Sequence, residues 1–143
     1  MLFTLVATLF AGLFAGAAIY ISFVEHPARM ECGTELAATE FGPSYRRATL
    51  LQASLAALGF SAAVTAWVHG ADGLVLLGGT LLGSVIPFTL LVILPTNKRL
   101  LSPQLDRAST EAAGLLQRWG RLHAVRSVLS AAAFALLLWH IAP

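Results

Sequence analysis

Two histidines and one arginine, His26, His123 and Arg126, lie at the edges of long apolar runs, where a titratable group is expensive unless it has a task or a partner. An imidazole suits proton uptake and release near neutral pH, and a guanidinium presents a fixed fork of donors to a carboxylate, phosphate, enolate or phenolate oxygen. Trp119, His123, Arg126 and Ser130 recur at i, i+4, i+7 and i+11 and so share one helical face. Ser22, Glu25 and His26 recur at i, i+3 and i+4, which puts an acid beside an imidazole at a helix end that Pro27 is expected to close. Such groups can act as a general base, hold an oxyanion, or ligate a metal through His26 and His123 if Glu25 joins them. Arg126 must snorkel, pair with an acid such as Glu25, or meet an anionic ligand.

More polar groups gather near these. Pro43 suits a first helical position, after which Tyr45, Thr49 and Gln52 fall on one face. Gln52 places a primary amide inside an apolar run and needs a partner, either another helix or a substrate. The stretch 87–100, PFTLLVILPTNKRL, passes from a kinking proline through apolar residues to Pro95, which is expected to end the helix where Thr96, Asn97, Lys98 and Arg99 begin. Thr89 lies about 9 Å below that end at 1.5 Å per residue, a depth that suits a pocket. His123, His26, Arg126 and Asn97 are the candidate catalytic groups. Glu25, Tyr45, Gln52, Thr89, Thr96, Arg99 and Trp119 are the candidate substrate contacts.

These side chains need apolar helices to hold them. The 143 residues are 57% hydrophobic and only 11% charged, the balance of an integral membrane protein, and they suit a single domain over 1–143. The hydropathy predicts an all-α, four-helix transmembrane bundle with spans at about 1–24, 48–68, 73–94 and 122–141. The first run carries no charge for its whole length and no basic leader, so it is expected to be a retained span and not a cleaved signal. The stretch 28–47 reads as a polar connection that can act as a lid, and 69–73, His-Gly-Ala-Asp-Gly, as a tight turn. Ser102 and Pro103 read as a cap and first turn. Leu115, Leu116, Trp119 and Leu122 then make an apolar stripe opposite Arg118 and Arg121, predicting a cytoplasmic amphipathic helix before the fourth span.

Threaded through four spans, all 9 Lys and Arg fall on one side, which the positive-inside rule makes cytoplasmic, with both termini outside an inner or plasma membrane. The small basic excess follows from that topology, and nucleic acid is not an expected partner. Membrane lipid and a lipophilic small molecule are. Gly12–Gly16 and Gly79–Gly83 are small-xxx-small pairs that let helices approach closely, within the bundle or in a homo-oligomer. Cys32 is the only cysteine, so no internal disulfide forms. The two halves look alike, each a span ended by a proline, then arginines and another span.

Three stretches together carry a family likeness: His26-Pro-Ala-Arg29 after a Gly/Ala-rich first span, Pro95-Thr-Asn-Lys-Arg-Leu100 after the third, and Trp119-xxx-His123-xx-Arg126 opening the fourth. In these the chain resembles the anthrone oxygenase family, small integral membrane proteins many of which have no assigned activity. For the members with one, the resemblance implies oxygenation of an anthrone to an anthraquinone with molecular oxygen. The matching positions are His26, Pro27, Pro95, Thr96, Asn97, Arg99, Trp119, His123 and Arg126. Two functions therefore stand: an oxygenase-like enzyme for a lipophilic anthrone or phenol, and a non-catalytic four-span protein that binds lipid or a partner. Nothing in the sequence selects a cofactor, and there is no HExxH, CxxC pair or nucleotide-binding loop.

Overall fold

The backbone of a chain crossing lipid must satisfy its own hydrogen bonds, and this one does so with helices alone. The computed structural model describes residues 1–142, and no strand occurs among them. Helix α1 (Leu2–Tyr20) runs through a π-helical turn (Ile21–Glu25) into α2 (His26–Glu31), and α3 spans Thr34–Val68. Helix α4 (Gly73–Phe88) runs through a second π turn (Thr89–Ile93) into α5 (Leu94–Leu100), and α6 spans Thr110–Ile141. Four continuous helices result, Leu2–Glu31, Thr34–Val68, Gly73–Leu100 and Thr110–Ile141, each long and apolar enough to cross a membrane.

Pro27 and Pro95 do not end their helices. Proline inside an α-helix removes one N–H and drives its ring into the preceding carbonyl. Here a five-residue π turn precedes each one, at Ile21–Glu25 and Thr89–Ile93, and the widened backbone lets the chain pass the ring and stay helical. Pro43 lies inside α3 and not at its start.

The stretch 28–47 is correspondingly no lid. It comprises the end of α2, a turn at Gly33, whose φ of 94° favours glycine, and the first part of α3. Its charges on α3, Glu35, Glu40, Arg46 and Arg47, lie on the outer face of a helix whose inner face, Ala37, Ala38 and Phe41, is packed, while Arg29 of α2 is buried. The amphipathic stretch before the fourth span is likewise no separate helix but the beginning of α6. Ser109, and not Ser102, caps it by accepting the Ala112 N–H at 3.1 Å. The turn before α4 is as tight as its sequence suggests, with Asp72 accepting the Leu74 N–H at 2.7 Å.

The helices form a ring in the order α1, α3, α4, α6, each antiparallel to both neighbours. Met1, His69, Gly70, His140 and Ile141 line a cavity at one end, so both termini and the α3–α4 turn share it. The other end carries α2, α5 and the beginnings of α3 and α6. A small-residue core built on Ala7, Ala11, Ala56, Ala63 and Ala133 holds the middle, and one built on Ile21, Phe41, Ile93, Leu116 and Trp119 holds the polar end.

Glycine sets how closely the helices approach. A Cβ on Gly79 would overlap the Ala63 Cβ, and one on Gly59 would lie 2.5 Å from a Leu82 methyl, so α3 and α4 meet nearly backbone to backbone. Gly12 faces Phe134, whereas Gly16 has nothing within 4 Å. Gly79→Leu is therefore expected to cost roughly 1–3 kcal/mol in unfolding titrations in mixed micelles, the usual penalty for overpacking, with Gly16→Leu close to neutral. Equal stability of Gly79→Leu and wild type would refute the close crossing.

Candidate functional site

The turn periodicity of α6 brings Trp119, His123, Ser127 and Ser130 to its buried face, with Arg126 half-buried beside them. The first π turn supplies Ser22, α2 supplies His26 and Arg29, α3 supplies Phe41, Ser44, Tyr45, Thr49 and Gln52, and α5 supplies Asn97. Twelve of the chain's residues, Arg29, Tyr45, Gln52, Asn97, Trp119, His123 and Arg126 among them, line a polar cavity of about 20 Å³, room for one water-sized guest.

His123 is 1% exposed and held on two sides. The Trp119 indole stacks on it at 4.8 Å and 26°, and the Phe41 ring meets that indole edge-on at 5.3 Å and 85°. On its other side, His123 Nδ1 lies 3.0 Å from Ser22 Oγ, which lies 2.8 Å from Ser127 Oγ, which in turn lies 3.0 Å from the Ala18 carbonyl. A carbonyl only accepts, so Ser127 donates to Ala18, Ser22 donates to Ser127, and His123 donates its Nδ1–H to Ser22. The chain of donors fixes one tautomer and leaves Nε2 as the basic nitrogen.

His26 also packs against Trp119, with ring centroids 5.2 Å apart and planes tilted by 54°. Gly120 makes the room, since a Cβ there would lie 2.5 Å from His26 Nε2. Glu25 neither joins the histidines nor reaches Arg126. It pairs with Arg29, one turn on, and accepts the Ser44 hydroxyl at 2.6 Å. Arg29 also meets Glu40 at 3.0 Å and lies 5.8 Å over Trp119, so this buried arginine ties α2 to α3 above the cavity. The metal set of His26, His123 and Glu25 is thus not assembled, and no group of three or more His, Cys, Asp or Glu among the described residues is placed to hold an ion.

Arg126 answers to an amide instead of an acid. It donates to Gln52 Oε1 at 2.7 Å, and its guanidinium lies 5.4 Å over the Phe14 ring. No carboxylate among the described residues lies within salt-bridge distance of it. Arg126 Nε, Gln52 Nε2 and Asn97 Oδ1 are buried with no partner in the protein. A second cavity, of about 100 Å³, adjoins the first at Thr49, Gln52 and Arg126, and its remaining walls are apolar apart from Thr89.

Most of the candidate residues therefore converge. Arg99 does not: it pairs with Glu111 at 2.6 and 3.0 Å on an exposed surface, tying α5 to the first turn of α6. Thr96 is buried but lines neither cavity, and Thr89 lines only the apolar one, donating to the Val85 carbonyl at 2.6 Å.

The anthrone oxygenase family model matches residues 41–136, most of the chain. The chain belongs to the anthrone oxygenase family. No curated protein and no solved structure matches it. The family match takes in α3 from Phe41, α4, α5 and nearly all of α6, and with them Tyr45, Gln52, Asn97, Trp119, His123 and Arg126. Ser22, His26 and Arg29 lie outside the matched residues.

Arg29, Phe41, Ser127 and Phe14 belong to the site although their types and spacing did not single them out. Glu25 and Arg29 at i and i+4 were a readable pair, as were His123 and Ser127. Phe14 lies deep in an apolar helix and gave no signal. The hydroxyl chain makes a spectroscopic prediction: 15N NMR of histidine-labelled protein should show His123 protonated at Nδ1, and Ser22→Ala should mix the tautomers. A wild-type imidazole protonated at Nε2 would contradict the chain.

Proposed function

We propose that the protein is a membrane-embedded oxygenase that converts a lipophilic anthrone-type substrate to the corresponding quinone with molecular oxygen. The observation that carries this reading is the pairing of an imidazole held in one tautomer with a half-buried, acid-free guanidinium, at the boundary of one polar and one apolar cavity. Membership of the anthrone oxygenase family supports the same chemistry.

In this reading one ring fills the apolar cavity and the carbonyl-bearing ring lies along the boundary with the polar one, its oxygen toward Arg126 and its methylene toward His123. His123 Nε2 takes a proton from the methylene carbon opposite that carbonyl, and the charge that develops on the oxygen is met by the Arg126 guanidinium and the Asn97 amide. Dioxygen takes one electron from the enolate, and the two radicals combine to form a C–O bond. Proton return from His123 gives the hydroperoxide. Loss of the second proton from the same carbon, with cleavage of the O–O bond, gives the new carbonyl and water. Anthrone and dioxygen thus become anthraquinone and water, with dioxygen as the oxidant. Trp119 and Phe41 wall the imidazole from bulk water, and Tyr45 and Gln52 complete the lining.

The same reading places the end that holds the arginines in the cytoplasm and both termini outside, following the positive-inside rule. His123→Gln keeps size and polarity but removes the base, and is expected to lower anthrone oxidation by about 10²-fold or more with melting close to wild type. Arg126→Lys should weaken turnover less, through lost fork geometry. Oxygen uptake with an anthrone in detergent or nanodiscs reads both. A well-folded, fully active His123→Gln protein would remove His123 from the mechanism, and a wild type inactive on every anthrone tried would favour non-catalytic binding of a lipid or partner.

A further inference from the structure

We infer that the apolar cavity beside Arg126 is the binding site for a lipophilic weak acid, an aromatic molecule with one phenolic or enolic oxygen, and that this ligand reaches it sideways from the bilayer between α3 and the second π turn. The inference deepens the oxygenase reading by naming how a substrate is recognised and where it comes in, and it also holds for a ligand that is bound without being changed.

Charge gives the first argument. Arg126 sits in the apolar half of α6 with a neutral amide and an aromatic face as its neighbours. A guanidinium out of water and without a carboxylate is a standing cost, one that an anionic or acidic oxygen relieves. The donors such an oxygen needs are in place: Arg126 Nε and Gln52 Nε2 are both buried and unpartnered, and Gln52 is only 2% exposed. Ligand oxygen at this point would take one charge-assisted and one neutral hydrogen bond.

Shape gives the second. Phe14, Ala56 and Val85 form the apolar inner wall of the cavity. At about 100 Å³ it holds roughly one ring, so a larger polycycle would leave its remaining rings in the mouth. That mouth faces lipid: Ala53 is exposed and Leu90 is 57% exposed. Helix α3 packs closely along α4 and parts from the π turn that follows it, which leaves the gap. A mouth of this composition suits a molecule that is neutral and lipid-soluble until its oxygen meets Arg126. A permanently charged headgroup would be held back at the interface.

The test uses full-length protein in phosphatidylcholine nanodiscs, with 2-naphthol as a fluorescent probe and protein-free discs as reference. Wild type should bind 2-naphthol saturably and naphthalene, which lacks the oxygen, at least about tenfold more weakly. Ala53→Trp fills the mouth from a lipid-facing position and should weaken naphthol binding by about tenfold or more without lowering the melting temperature, whereas Ala57→Trp, lipid-facing one turn away and outside the cavity, should bind like wild type. Arg126→Gln should lose the preference for naphthol over naphthalene. Unchanged binding in Ala53→Trp, equal affinity for naphthalene, or no saturable binding would each overturn the inference. So would loss of naphthol binding in discs that contain phosphatidic acid, because Arg126 would then be serving a headgroup phosphate. Saturable naphthol binding without oxidation of any anthrone would sink the catalytic reading alone. Anthrone turnover undiminished in Ala53→Trp would sink the lateral route and leave catalysis standing.

Discussion

A proline in a membrane-crossing helix leaves a carbonyl without its donor in a solvent that cannot supply one, and at two of the four prolines inside its helices, Pro27 and Pro95 but not Pro43 or Pro87, this chain meets that constraint in the same way. Ahead of both Pro27 and Pro95 the backbone opens into a five-residue π turn. The added residue shifts the phase of everything beyond it by about 100° relative to an unbroken helix, one residue's share of a 3.6-residue turn. Just past the first of these turns, Arg29 of α2 reaches Ser44, Glu40 and Trp119. The first π turn also holds Ser22, so the same widening that passes the proline carries the hydroxyl that orients His123.

The two π turns correspond in detail. The same number of residues separates Ile21 from Thr89, Pro27 from Pro95 and Arg29 from Asn97, so the two buried polar residues of α2 and α5 occupy equivalent places in the two halves. The partner helices show a parallel of their own: Phe41-Gly42-x-x-Tyr45 on α3 and Trp119-Gly120-x-x-His123 on α6. Phe41 stacks on Tyr45 at 5.7 Å and 13°, Trp119 stacks on His123 at 4.8 Å and 26°, and the two pairs meet where Phe41 and Trp119 touch edge-on. The likeness between hairpins that the sequence hinted at is therefore a likeness of local geometry as well.

What could be read from the sequence followed from strong, local physics. Four apolar runs dictated four helices, the tight turn at Asp72 followed from its glycines and acid, and the 3.6-residue period put Trp119, His123 and Arg126 on neighbouring positions of one helix. What was misread turned on competition between local preference and tertiary packing. A proline such as Pro27 or Pro95 often ends a helix, but here each follows a π turn, which leaves no mark in composition, and the helix continues. The charges in 28–47 looked like a loop because their apolar counterparts, Ala37, Ala38 and Phe41, are few and mostly small. Of the three fates open to Arg126, snorkelling, an acid such as Glu25 or an anionic ligand, the pairing with Glu25 is excluded because Arg29 takes that carboxylate first.

That exchange of partners decides the character of the site. Glu25 has one strong claim on it, from a buried arginine at i+4 in the same helical segment, and Ser44 reinforces the pair from α3. Arg29 is thereby neutralised within the protein, while Arg126, the deeper cation, is left with Gln52. Of the two arginines that reach the cavity, one is structural and one retains unspent hydrogen-bonding capacity. An amide holds a guanidinium in place without cancelling its charge, because it accepts a hydrogen bond but carries no formal charge. Gln52 thus orients Arg126 and preserves its field, and replacing that amide with a carboxylate would keep the geometry while removing the attraction for an anionic oxygen. The choice of glutamine at this position, in the middle of an apolar helix where any polar group is costly, is the choice that leaves the cation available.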